Sequence, residues 1–147
     1  METVKNYIDG KIISFSTDLL PVINPSTGDQ IKSVINSGTK DFEITVTNAV
    51  ESQKEWSKTT PLKRSRVLSK YKNLLENNLE KLAEVISIEH GKTIEDAKGS
   101  LIRGIEVVEF ACGIPHLLKG EFSQNVGTDI DSWSIRPPLG VCAGITP

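Results

Sequence analysis

The sequence has no apolar run near the ~20 residues that a membrane-spanning helix needs. It also lacks clustered charge. Seventeen Lys+Arg against nineteen Asp+Glu leave a net charge of only -2, with both signs interspersed. Without a basic arm or a basic patch interleaved with aromatics, neither nucleic acid nor an anionic membrane surface is expected as a partner. Cysteine is limited to Cys112 and Cys142, and histidine to His90 and His116. No Cys-x-x-Cys pair or Cys/His cluster has zinc spacing, so no metal is expected. The stretch from Met1 to Asp9 carries acidic residues and no long apolar core. It reads as neither a secretory signal nor an Arg-rich mitochondrial presequence, and a cytoplasmic location is expected. That setting disfavours a disulfide, so both cysteines are expected as small buried hydrophobes. A Gly-x-Gly-x-x-Gly phosphate loop is missing too, so spacing alone identifies no dinucleotide site.

What is present begins with strands. Asn6 to Ser14 and Leu20 to Asn24 read as short strands, with a tight turn at Asp9-Gly10. Asn24-Pro-Ser-Thr-Gly28 is turn chemistry, and Gln30 to Asn36 alternates as another strand. A small antiparallel meander is expected.

Four helices should follow. Thr39 is the expected cap of the first, with Phe42, Val46, Ala49, Gln53 and Trp56 on one face. Thr60-Pro61 caps the second, and Asn77 with Glu80 resembles a capping box for the third, which Gly91 ends. Thr93 starts the fourth. Ile94, Ala97, Leu101, Ile105, Val108 and Cys112 form its apolar stripe. Gly99 and Gly104 interrupt that helix at a cost of ~1 kcal/mol each relative to alanine. Either another backbone or a ligand packs close to them, or burial elsewhere tolerates them. After a loop and short helix over 113–120, residues 121–135 suggest a two-stranded ribbon turning at Gly127-Thr-Asp129. Leu139 to Ile145 is an apolar run with small residues, the pattern of a strand buried on both faces. Such a strand needs parallel neighbours and covering helices that these residues do not supply. A front piece of a larger enzyme is therefore expected.

Several stretches resemble the aldehyde dehydrogenases in order and spacing. Pro138-Leu-Gly-Val141 leading into Ala143-Gly-Ile-Thr-Pro147 resembles the opening of that family's NAD-binding fold. Asn24-Pro-Ser-Thr-Gly28 resembles its early turn, and Trp56, Pro61 and Arg64 its first helical hairpin. Glu89-His-Gly-Lys92 resembles its Glu-x-Gly-Lys signature. Arg103 to Cys112 and Asp129 to Pro147 look most like the CoA-acylating methylmalonate-semialdehyde branch.

The resemblance implies an α/β fold: the N-terminal part of an aldehyde dehydrogenase, truncated. Residues 1–122 would open the NAD-binding domain, 123–137 would form an oligomerisation ribbon, and 138–147 the first strand of a Rossmann-like sheet. The catalytic domain would be absent. It also implies a homo-oligomeric enzyme using NAD, with coenzyme A as co-substrate and a small semialdehyde as substrate. A thiolate would add to the aldehyde, hydride would pass to NAD, carbon dioxide would leave, and the acyl group would move to coenzyme A. Methylmalonate semialdehyde would give propionyl-CoA, and malonate semialdehyde acetyl-CoA. Another aldehyde dehydrogenase, or a non-catalytic fragment, is the alternative.

Few residues can carry chemistry. Arg103 falls beside the apolar stripe of the fourth helix. By spacing alone an ion pair with Glu106 is the commoner reading; by resemblance Arg103 binds the substrate carboxylate. Ile145, Thr146 and Pro147 end the expected strand, and ligands of open α/β sheets bind beyond strand ends. By resemblance these three touch NAD. Glu106 and Glu109 could suggest acid–base work, but a solvated helix face is far more common. His90 and His116 read as surface or helix-dipole partners. Neither Cys112 nor Cys142 matches the family's nucleophile, so no catalytic residue is assigned.

Overall fold

A computed structural model describes residues 2–146. Its strands are short. β1 (Thr3–Val4) pairs parallel to β5 (Gln30–Ile35), whose other edge pairs antiparallel with β4 (Leu19–Ile23). β2 (Tyr7–Ile8) and β3 (Lys11–Ile12) form a separate hairpin. Asp9 and Gly10 turn it with φ of 51° and 71°, as a two-residue hairpin loop requires. The expected meander is thus corrected: the hairpin stands apart, and a parallel edge strand completes the sheet. Two-residue strands are too short to show a period, so β1 left no signal.

Five helices follow: α1 (Thr39–Lys58), α2 (Pro61–Asn77), α3 (Leu79–His90), α4 (Ile94–Cys112) and α5 (Ile114–Leu117). The hydroxyls of Thr60 and Thr93 accept from the Lys63 and Asp96 amides, the expected caps of α2 and α4. Two caps differ from expectation. Gly38, not Thr39, precedes α1, and its amide donates to the Asp41 carboxylate at 3.2 Å. Asn78, not Asn77, precedes α3, and its side chain instead donates to the Leu74 carbonyl.

Asp41 does more than cap. Only 2% exposed, it accepts from Asn6 Nδ2 at 3.0 Å, Phe15 N at 2.8 Å and Ser16 N at 3.1 Å. One carboxylate thereby fastens the N-terminal arm to α1. Lys40 adds a cation–π contact 4.6 Å from the Phe15 ring centre.

α2 and α4 run antiparallel. Ser65 Oγ donates to the Cys112 carbonyl at 2.6 Å, and Lys72 meets Glu109 at 3.0 Å one to two turns away. Lys98 bonds Glu80 at 2.8 Å and ties α4 to α3. The Lys72 ammonium is held above its ordinary value, first by its hydrogen bond to Glu109, and the Lys98 ammonium likewise, first by its bond to Glu80. Ala83, Ala97 and Ile105 are buried in the helical layer, and Ile8, in β2 of the hairpin, is buried as well.

Gly91 ends α3 at φ +83°. A Cβ there would lie 2.7 Å from Pro25 Cγ, so the 24–28 turn rests directly on the helix end. The two stretches that resemble family signatures meet here. Gly91→Ala combines left-handed strain with that overlap. It should destabilise the chain by about 1–3 kcal/mol; an unchanged denaturation midpoint would refute the packing. Gly104 is the opposite case: nothing lies within 4 Å of its missing Cβ, and only Arg103 Nη1, at 3.7 Å, lies near that of Gly99. No close backbone explains either glycine among the described residues. Gly104→Ala should stabilise by up to about 1 kcal/mol; destabilisation would mean that something seats against it.

The ribbon exists. β6 (Phe122–Gly127) and β7 (Ile130–Trp133) pair antiparallel around Asp129 at φ 58°. The peptide carbonyl of Ser134 occupies the place a side chain on Gly120 would take.

The run 139–145 lacks the neighbours that its pattern calls for. It forms no hydrogen-bonded strand; Leu139 is 93% exposed, and Cys142 is exposed rather than buried. Apolar character makes burial favourable but supplies no ladder partner, and the described residues contain none for it. Gly140, Val141 and Cys142 lie instead across a cleft of about 280 Å³ from Ala49, Ser52, Gln53 and Trp56 of α1.

The accessible area is 11198 Å². A closed monomer of this mass exposes about 7,400 Å². Phe42, Val107, Phe110, Phe122 and Trp133 are each more than half exposed. The excess, about 3,800 Å² on this chain, is at least one partner's share of an obligate interface, so these surfaces are suited to being covered.

Candidate functional site

The site is organised along α4. Thr93 caps it, Ala97 and Ile105 anchor its inner face, and Gly91 sets its approach. Arg103 lies two residues from both Leu101 and Ile105, which at about 100° per residue puts it almost opposite the inner stripe. The structure accordingly leaves Arg103 exposed, and the expected border position is corrected.

Arg103 shares its face with apolar as well as polar neighbours. Val107 and Phe110 follow at i+4 and i+7, the same helical row, and are 68% and 70% exposed. Ile102 beside it is 47% exposed. α4 is therefore apolar on two sides, the mark of a helix covered on both. The signal was present in the sequence, where the inner stripe overshadowed it.

The ion pair with Glu106 does not form. Arg103 donates from Nη2 to Ser100 Oγ at 3.2 Å and joins no ion pair among the described residues. Glu109 is engaged by Lys72, which removes it from any carboxylate pair with Glu106. A guanidinium with open donors on an apolar row can take a planar carboxylate.

The other expected residues do not gather around Arg103. Ile145 is fully exposed and Thr146 exposed; Pro147 lies outside the described residues. The Thr146 side chain bonds no described residue, so it is open to a ligand, yet nothing here closes around a dinucleotide. Cys112 is structural: its carbonyl accepts from Ser65, and its Sγ lies 3.6 Å from the Ser69 hydroxyl. Cys142 is a free thiol with no activating base hydrogen-bonded to it. His90 occupies the last turn of α3, as a dipole partner would. No group of three potential metal ligands occurs among the described residues, and none of their helices is long and apolar enough to cross a membrane.

Comparison with known proteins identifies the family. Over its full length the chain is 46% identical to a malonate-semialdehyde dehydrogenase of Pseudomonas aeruginosa, of which it spans 30%. It is 42% identical, over 99% of its length and 28% of the relative's, to a Caenorhabditis elegans protein named as a mitochondrial, acylating methylmalonate-semialdehyde/malonate-semialdehyde dehydrogenase. A solved Sinorhizobium meliloti structure, assigned as a methylmalonate-semialdehyde dehydrogenase and complexed with NAD, superposes with a TM-score of 0.95. It is 44% identical over all of this chain and 30% of that one. The chain thus spans about 30% of the length of these relatives and matches the N-terminal part of their fold. Residues 13–147 match the aldehyde dehydrogenase family, and the chain belongs to that family.

Proposed function

We propose that this chain is the N-terminal portion of an NAD-dependent, CoA-acylating malonate- or methylmalonate-semialdehyde dehydrogenase. One observation carries the choice of a carboxylated substrate. Arg103 stands without a carboxylate partner on an apolar row that needs covering. Its guanidinium would hold the carboxylate end of the semialdehyde, and Val107 and Phe110 would exclude water around it, strengthening the bond. Ile145, Thr146 and Pro147 would line one edge of the NAD site. NAD, when bound, supplies a hydride acceptor. Its use and the acylation step rest on the names of the relatives and the bound ligand of one of them. The ribbon 122–133, with its exposed Phe122, Ile130 and Trp133, would meet a second copy of the enzyme. A cytoplasmic location belongs to the same reading and rests on the composition of the N-terminal segment; the C. elegans relative is named mitochondrial.

A chimera tests this. Its first part would be these 147 residues, and the remainder would come from the P. aeruginosa relative. It should convert malonate semialdehyde to acetyl-CoA with stoichiometric NADH, while the 147 residues alone form none. Oxidation to free malonate without coenzyme A would overturn the acylating reading.

A further inference from the structure

Lys92 comes from the Glu89-His-Gly-Lys92 stretch, which the proposed mechanism leaves without a task. The structure places it against the site. Its Nζ donates to Ser100 Oγ at 2.8 Å, the same oxygen that receives Arg103 Nη2 at 3.2 Å. Ser100 can do this because its own proton is committed, donated to the Asp96 carbonyl at 3.1 Å. A hydroxyl has one donor and two acceptor sites; here all three are used, and the two lone pairs hold two cations.

The two nitrogens are therefore no more than about 6 Å apart. Like charges this close repel. Elsewhere the fold neutralises such charge: Lys72 has Glu76 and Glu109, and Lys98 has Glu80 and Glu95. Lys92 and Arg103 have no carboxylate partner among the described residues. A fixed pair of unneutralised cations on one oxygen is a vacancy for an anion. Backbone geometry supports the placement. Gly91 at φ +83° delivers Lys92 to α4, and Ser87 Oγ clamps the Lys92 carbonyl at 2.7 Å.

We propose that Lys92 is the second cation of the Arg103 carboxylate site, and that Ser100 is the positioning residue holding the two side by side. This rests on the reading of Arg103 as a carboxylate binder. It adds that the site is built for a small dianion or for a carboxylate shared by two cations, with Arg103 giving directed hydrogen bonds and Lys92 a point charge.

The test uses the chain itself and methylmalonate, whose methyl protons report binding by saturation transfer even if the protein self-associates. Ser100→Ala and Lys92→Met should each weaken methylmalonate about threefold to tenfold. Ser100→Thr and Lys92→Arg should restore affinity to within about twofold, and Lys92→Met should flatten its dependence on salt. Neutral propanamide should give no signal with any variant. If Ser100→Ala fails to melt cooperatively, the Lys92→Met and Lys92→Arg pair decides. Loss on Arg103→Leu with unchanged affinity in the Ser100 and Lys92 variants would overturn this proposal and leave Arg103 as the sole anchor. Unchanged affinity in all variants, Arg103→Leu included, would overturn both readings.

Discussion

Arg103→Leu is expected to lower kcat/KM for methylmalonate semialdehyde about ten- to a hundredfold and to leave propanal nearly unchanged. A charge-assisted, bidentate guanidinium–carboxylate bond in a covered site contributes on the order of 1.5–3 kcal/mol, and each 1.4 kcal/mol is one decade in rate. Leucine keeps the apolar row with Val107 and Phe110 intact, so helix packing should survive. Propanal has no carboxylate and cannot use the arginine. The selectivity is the informative part. An equal loss for both aldehydes would indicate damaged folding or cofactor binding, and no loss for either would return Arg103 to the surface. The assay belongs in the chimera, which restores the full length of the relatives, of which this chain spans 30%.

Asp41→Asn should release the N-terminal arm. Four donors converge on the carboxylate: Phe15 N, Gly38 N, Ser16 N and Asn6 Nδ2. An amide offers one oxygen and turns an NH2 toward the remaining donors, leaving buried groups unpaired. Amide exchange at Phe15 and Ser16 should accelerate strongly, while amides in α4 keep their protection. Unchanged protection at those two positions would contradict the clasp. The same group sets an acid limit. The hydrogen bond from Phe15 N is the main cause that holds the Asp41 carboxyl below the ordinary 3.8, aided by Gly38, Ser16 and Asn6 and opposed by burial. A depressed folded-state pKa means that the stabilisation is complete above the unfolded value and fades as pH falls through the lower folded one. The arm should therefore stay fastened at neutral and mildly acid pH and detach only below about 3.8.

The helices were legible in the sequence because their signals are local. Thr60, Thr93 and Gly91 mark ends through side chains and backbone preferences that act within four residues, and the structure uses all three. The clasp made by Asp41 was not legible because it is not local: its partners Phe15 and Asn6 lie 26 and 35 residues away. The run 139–145 stays unpaired for a related reason. Hydrophobicity says that a segment will be covered, not by what, and the covering elements are not among the described residues. The position of Arg103 was a matter of arithmetic: a displacement of two residues is more than half a turn. Once it is placed, Val107 and Phe110 become visible as the companions that distinguish it from an ordinary surface arginine. The Glu89-His-Gly-Lys92 stretch marks Lys92 but not its partner, and Ser100 carries no pattern of its own, since the two meet only after Gly91 turns the chain.

The central claim is that α4 presents Arg103 to the carboxylate of the substrate. A crystal structure of the chimera with methylmalonate bound tests it most directly. A methylmalonate carboxylate should lie about 2.7–2.9 Å from Arg103 Nη atoms, with Lys92 Nζ on the same group and Val107 and Phe110 covered. Methylmalonate held by other cations, with Arg103 paired to a protein carboxylate or facing open solvent, would contradict it.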